Sequence, residues 1–149
     1  MSTVSQLLAT KGHTVHTIDK SATVFEAIDR MVANNVGCLI VVDEFFPCGV
    51  ITERDYLRKI ALKGRASKTT LVGEIMSENV VFVDMATEVE ECMALMTRER
   101  IRHLPVFSNA ELVGLISIGD IIKHLARDRK STIEQLTAYI QGSSVSYDA

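Results

Sequence analysis

The sequence is poor in cysteine, carries no excess of basic charge and has no long apolar run. Its three cysteines, Cys38, Cys48 and Cys92, form no Cys-x-x-Cys pair and have no histidine at zinc-like spacing, so reduced thiols are predicted. Lys and Arg number 16 against 19 Asp and Glu, and a formal charge of -3 argues against a general nucleic-acid or anionic-membrane binder, which needs a net basic surface. No apolar stretch approaches the roughly 18 residues of a membrane span. The first thirteen residues lack a basic head followed by an apolar run, so they do not read as a secretory signal. A soluble, cytoplasmic protein is predicted. Also missing are a Walker loop, a G-x-G-x-x-G turn, a nucleophile elbow with Ser/His/Asp order and a metal constellation, so no enzyme is predicted.

What the chain does have is a duplicated strand end. Gly114 to Asp120 reads GLISIGD, and 65 residues earlier Gly49 to Asp55 reads GVITERD. Aligning residues 15–57 with 80–122 at that constant shift, without a gap, pairs ten identities. Average composition gives roughly three by accident over such a length. With 149 residues, 47% hydrophobic and 23% charged, the chain suits one compact domain or two small intertwined ones.

Each copy reads strand, helix, strand, strand, helix. In the first, residues 15–18 form a brief strand and residues 23–35 a helix, with Val24, Ala27, Ile28, Met31 and Val32 on one stripe. Thr23 with Glu26 suits a capping box, and Asn34 and Asn35 suit the helix end. Residues 38–42 read as a strand buried on both faces, 43–48 as a turn, 49–52 as a strand and 55–62 as a helix. The second copy repeats this with strands at 80–83, 104–107 and 112–117, a helix behind a Thr87 and Glu90 box, and a closing helix at 120–125. A separate amphipathic helix is predicted at 132–140 through Ile133, Leu136 and Ile140, then a frayed tail. The organisation is a lead-in at 1–13, a first unit at 14–64, a basic link at 65–78, a second unit at 79–128 and a C-terminal piece at 129–149. The predicted fold class is α/β (α+β): two units related by a pseudo-twofold axis and packed sheet to sheet.

Two tandem units, each ending G-h-h-[ST]-x-x-D with h apolar, together with the IRHLPV segment, resemble a tandem cystathionine β-synthase (CBS) domain pair. The stretches GVITERDYLRKI, GLISIGD and YIQG are similar to stand-alone two-CBS proteins of bacteria and plant organelles. The resemblance covers residues 3–125. It implies a non-catalytic regulatory module binding an adenine nucleotide between the units, AMP first, with ATP, ADP, NADH or S-adenosylmethionine as related ligands. Carried over by position, Asp55 and Asp120 would accept hydrogen bonds from ribose hydroxyls. Thr52 and Ser117 would donate to a phosphate oxygen at the mouth of the following helix. Adenine would lie against Thr17, Ile18 and Cys38 in one site and against Phe82, Val83 and His103 in the other. The phosphates would be gripped by Arg54 on one side and by Arg102 with His103 on the other, helped by Lys68 or Arg65 from the link, so two sites of unequal strength are predicted.

Plainer roles stand beside these. Asp55 and Asp120 also suit helix N-caps. His103 also suits a hydrogen-bonded core position, and Arg100 and Arg102 also suit a solvated face. Met31, Met93, Met96 and Cys92 read as core packing. A second function fits the resemblance, a dimeric adaptor regulating a partner enzyme such as a redox protein, with nucleotide binding vestigial. A homodimer is predicted through Tyr56, Leu57 and Ile60 in one helix and Ile121, Ile122 and Leu125 in the other.

Overall fold

The structure, a computed structural model, describes residues 2–142. In chain order it contains α1 (Val4–Lys11), β1 (Thr17–Asp19), α2 (Val24–Asn34), β2 (Cys38–Asp43), β3 (Phe46–Thr52) and α3 (Glu53–Tyr56), which runs on into a π-turn over Leu57–Ala61. After α4 (Val72–Ile75) the pattern returns as β4 (Val83–Asp84), α5 (Val89–Glu99), β5 (His103–Ser108), β6 (Glu111–Ser117) and α6 (Ile118–Gly142). Two three-stranded sheets result, ordered β1-β2-β3 and β4-β5-β6, each with a parallel first pair and an antiparallel hairpin.

The shift of 65 survives at atomic detail. Cys38 pairs with Thr52 as His103 pairs with Ser117, and both hairpins bulge at matching places, Val41/Val42 and Val106/Phe107. Both first-layer helices end left-handed, at Asn35 (φ 52°) and Arg100 (φ 56°). The hairpin turns are tighter than predicted. Glu44–Phe45 and Asn109–Ala110 all have positive φ, the conformation that lets a two-residue loop match the twist of its strands, so β3 begins at Phe46.

Three other expectations need correction. Thr87 does not cap α5: its hydroxyl donates to Asp84 Oδ1 (3.1 Å) and accepts the Asp84 N–H (3.3 Å), and the cap position falls to Glu88. Thr23 does cap α2, accepting the Glu26 N–H at 3.1 Å. The two predicted C-terminal helices are one helix of 25 residues, because residues 126–131 contain neither glycine nor proline to break it. The side chain of Ile140 and the tail lie outside the described residues. Finally, the lead-in and the link are core. Val4, Leu7 and Leu8 of α1 pack with Val83, Val89, Leu104 and Ile116 of the second unit. Val72 and Ile75 of α4 pack with Ile18, Val24, Leu39 and Ile51 of the first.

Each crossing is tied down by backbone hydrogen bonds, Val4 N to Thr87 O and Val24 N to Thr70 O, both 2.8 Å. Both land on the motif glycines. A Cβ on Gly114 would meet Leu8 Cδ1 at 2.8 Å, and one on Gly49 would meet both Met76 Sδ and the Ser77 carbonyl oxygen at 2.8 Å. In the central strands, Leu39 and Val41 face the helices of their own unit. Cys38 and Ile40 are buried on the opposite face, where the sheets pack together.

Cys38 and Cys92 are buried, and burial, aided by Asp55 and Glu91 respectively, pushes their thiols up to about 12 and about 11. Cys48, at the first hairpin's bulge, is only half-buried. In native protein at pH 8 a maleimide should therefore label one thiol per chain, Cys48, and all three cysteines only after denaturation, as mass spectrometry would show. Gly49→Ala should destabilise by about 2 kcal/mol in urea melts, since backbone must move. Gly114→Ala should cost less, because the ends of the Leu8 side chain can turn away.

Candidate functional site

Each repeated motif closes a strand and starts a helix through the same reciprocal pair of hydrogen bonds. Thr52 Oγ1 accepts the Asp55 N–H (3.2 Å) while Asp55 Oδ2 accepts the Thr52 N–H (2.9 Å) and the Thr52 hydroxyl (3.1 Å). Ser117 and Asp120 repeat the exchange at 3.1 and 2.8 Å. The capping role is thus present in both copies. It also fixes a hydroxyl and a carboxylate side by side at the strand end, with part of each carboxylate's acceptor capacity left over.

A cavity of about 550 Å³ opens beside the first of these boxes and is walled by both units. The first supplies Gly37, Val50, Thr52, Glu53, Arg54, Asp55, Leu57 and Arg58; the second supplies residues 79–81, residues 100–103 and Pro105; the link adds Ser77. Arg54 and Arg102 with His103, assigned from sequence to separate phosphates, therefore converge on one space. The reason is topological: the end of β3 and the start of β5 meet across the packed sheets. Four arginines, Arg54, Arg58, Arg100 and Arg102, and two acidic residues, Glu53 and Asp55, are among its walls. Among the described residues none of the four lies within ion-pair distance of a carboxylate. Burial, and then Lys11, push the His103 pKa below its ordinary value, so the imidazole is neutral at neutral pH.

Pro105 helps to open this space. At the equivalent place in the first unit, Ile40 donates its N–H to the His16 carbonyl (3.1 Å), and β1 is three residues long. Proline has no N–H to give, so β4 is only two residues long, and residues 79–81 run along the cavity instead of extending the ladder.

The remaining predicted site residues lie elsewhere. Asp120 is held by Lys11, whose ammonium is 2.6 Å from Oδ2 and also donates to the Leu115 carbonyl. Burial raises the Asp120 pKa, but Lys11 and the Ser117 N–H more than offset it, and the net shift is downward. Ile18 and Val83 belong to the two cores and Cys38 is buried, so none of the three exposes its side chain. Phe82 is exposed, edge-on to Phe107 with centroids 5.2 Å apart, and Lys68 lies 5.1 Å over the Phe25 ring. Thr17 uses its carbonyl to accept from Arg30. Sequence reasoning missed Arg58, which helical spacing from Arg54 could have found. It also missed Lys11, which no local pattern marks. Among the described residues no helix is long and apolar enough to cross a membrane, and no His, Cys, Asp and Glu side chains cluster to hold a metal ion.

Comparison with known proteins places this geometry. The family model for the CBS domain matches twice, at residues 4–62 and 72–127. The chain is 40% identical to the mitochondrial CBS domain-containing protein CBSX3 of Arabidopsis thaliana, over 95% of this chain and 73% of that one. Other curated Arabidopsis relatives are longer, and the chain spans about a quarter of them. Among solved structures it is similar to a signal-transduction protein with CBS domains from Burkholderia ambifaria, with a TM-score of 0.83 and 45% identity over 85% of this chain and 96% of that one. It shares its fold, at a TM-score of 0.75 and 22% identity, with a CBS domain pair solved in complex with 5'-methylthioadenosine and S-adenosyl-L-methionine, over 86% and 98% of the two chains. Both halves of the repeat, the paired sheets and the duplicated strand-end box thus have one explanation: the chain belongs to the CBS domain family, as a tandem pair.

Proposed function

We propose that the chain is a non-catalytic regulatory module that binds a phosphorylated adenosine ligand in the cavity between its two units. The observation that carries this reading is the convergence of four unpaired guanidinium groups on the same space as the Thr52–Asp55 box. Asp55 would take the ribose hydroxyls, and the arginines the phosphates, for which their planar fork is suited. That a CBS pair of the same fold holds adenosine-type ligands supports the adenosine half of the proposal. The surplus of positive charge favours AMP, ADP or ATP over the cationic S-adenosylmethionine. Because the walls come from both units, a bound ligand would stabilise one placement of the units by its differential affinity for the two states, and a partner could read that placement.

A second reading, a dimeric adaptor for a partner enzyme, is favoured by α6. Ile122, Ile133 and Leu136 are exposed along it, and Ile122, Leu125, Ala126 and Ile133 line a shallow apolar groove. Of the residues assigned to a dimer contact, Ile60 and Ile121 belong instead to the intrachain cores, while Leu57 and Ile122 remain exposed.

Calorimetric titration should give dissociation constants below about 1 mM, near -4 kcal/mol, for AMP, ADP or ATP, weaker in high salt, and weaker still for S-adenosylmethionine. If no phosphorylated nucleotide binds in that range, the module reading fails. Asp55→Asn keeps an acceptor for the Thr52 N–H and should leave the fold intact while weakening nucleotide about tenfold; Arg102→Ala should do the same and flatten the salt dependence. Light scattering at micromolar concentration should show a dimer that Ile122→Glu dissociates; a wild-type monomer would remove the adaptor reading's dimer.

A further inference from the structure

By the shift of 65, the counterpart of the first cavity falls where Ser117 and Asp120 would face residues 35–40, and the two places differ in what stands at the carboxylate. At the first, the edge-strand residue Val50 exchanges backbone hydrogen bonds with Ser77 (3.0 and 2.9 Å), which leaves Asp55 facing the cavity. At the second, the equivalent residue is Leu115, and its carbonyl is taken by the Lys11 ammonium, which also sits 2.6 Å from Asp120 Oδ2. Lys11 is placed there by the fold. It lies three and four residues beyond Leu8 and Leu7, on the helix face they anchor, and Leu8 is seated on Gly114. Just beyond, Gly12 turns the chain at φ 101°, and the His13 ring lies 3.0 Å from the Val113 carbonyl.

Asp55 also has a lysine, Lys59 at 3.3 Å from Oδ1. Lys59 comes from the carboxylate's own helix, donates to the Ile75 carbonyl at 2.7 Å and does not line the cavity. Lys11 reaches Asp120 from a different element and from the edge of β6.

Resting on the nucleotide reading of the family's paired clefts, we propose that Lys11 is a built-in occupant of the second cleft, a tethered cation that takes the carboxylate a ribose would need and leaves the chain with one open site. The first helix then serves as a plug for the second site as well as a part of its core.

The test is to count ATP sites per folded chain by calorimetry in wild type, Lys11→Ala, Lys11→Met, Lys11→Arg and Lys11→Ala/Asp120→Asn, with circular dichroism to check each fold. One site in wild type, two in Lys11→Ala or Lys11→Met, and one again in Lys11→Arg and the double variant would establish the plug. The Met variant keeps the aliphatic stem should the Ala variant lose structure. Two sites in wild type, or a Lys11→Ala or Lys11→Met protein binding no more than wild type, would overturn it. None in wild type and one in Lys11→Ala would support the plug while sinking the open first site. None in any variant would sink both.

Discussion

Leu8 resting on Gly114, and Met76 with Ser77 resting on Gly49, seat the segment ahead of each unit on the edge strand of the other. Neither unit houses a full core from its own contiguous residues: each borrows a short helix from the chain ahead of the other. The borrowed helices can approach only where the edge strand has no side chain, so the glycine that opens each motif is a packing requirement. Everything near the clefts follows from how those helices are seated. α1 delivers Lys11 to Asp120, and the segment after α4 delivers Ser77 and residues 79–81 to the open cavity.

The strand-end boxes show why capping and ligand binding need not compete. Among the described residues, three hydrogen bonds in the first box and two in the second hold hydroxyl and carboxylate at a helix mouth. A carboxylate has acceptor directions beyond the one its cap uses. What separates the copies is the surroundings of the carboxylate: Asp55 has Lys59 from its own helix and borders a cavity lined by four arginines, whereas Asp120 is met by Lys11 from a different element.

Much of the fold was legible because it is local and repeated. The constant shift carried strand pairing, bulge position and the left-handed helix ends from one unit to the other, and Asn35 announced its conformation by residue type. Arg100, in the same conformation, did not, because there the tertiary fold overrides preference. Thr87 misled because a hydroxyl one residue early finds a turn carboxylate, Asp84, as readily as a helix end. In the site, Thr52, Arg54, Asp55, Arg102 and His103, which the sequence reading divided between two clefts, line one cavity. Their grouping depends on which strand ends face each other across the sheets, and no one-dimensional pattern encodes that. Lys11 was invisible for the same reason, lying 109 residues from the carboxylate it meets.

The exchange of helices also bears on how the chain comes to be folded. Residues 4–8 are made ahead of the first unit, yet the strands and helix they pack against begin at Val83 and end beyond Ile116. α1 must therefore wait until more than a hundred further residues, as far as Ile116, have followed, and closing so long a loop is slow. The first unit is placed better, since its borrowed helix arrives right after it. Synthesis would thus finish the first unit early and hold the second open until α1 returns, so that the step which closes the second core is also the step which puts Lys11 on Asp120.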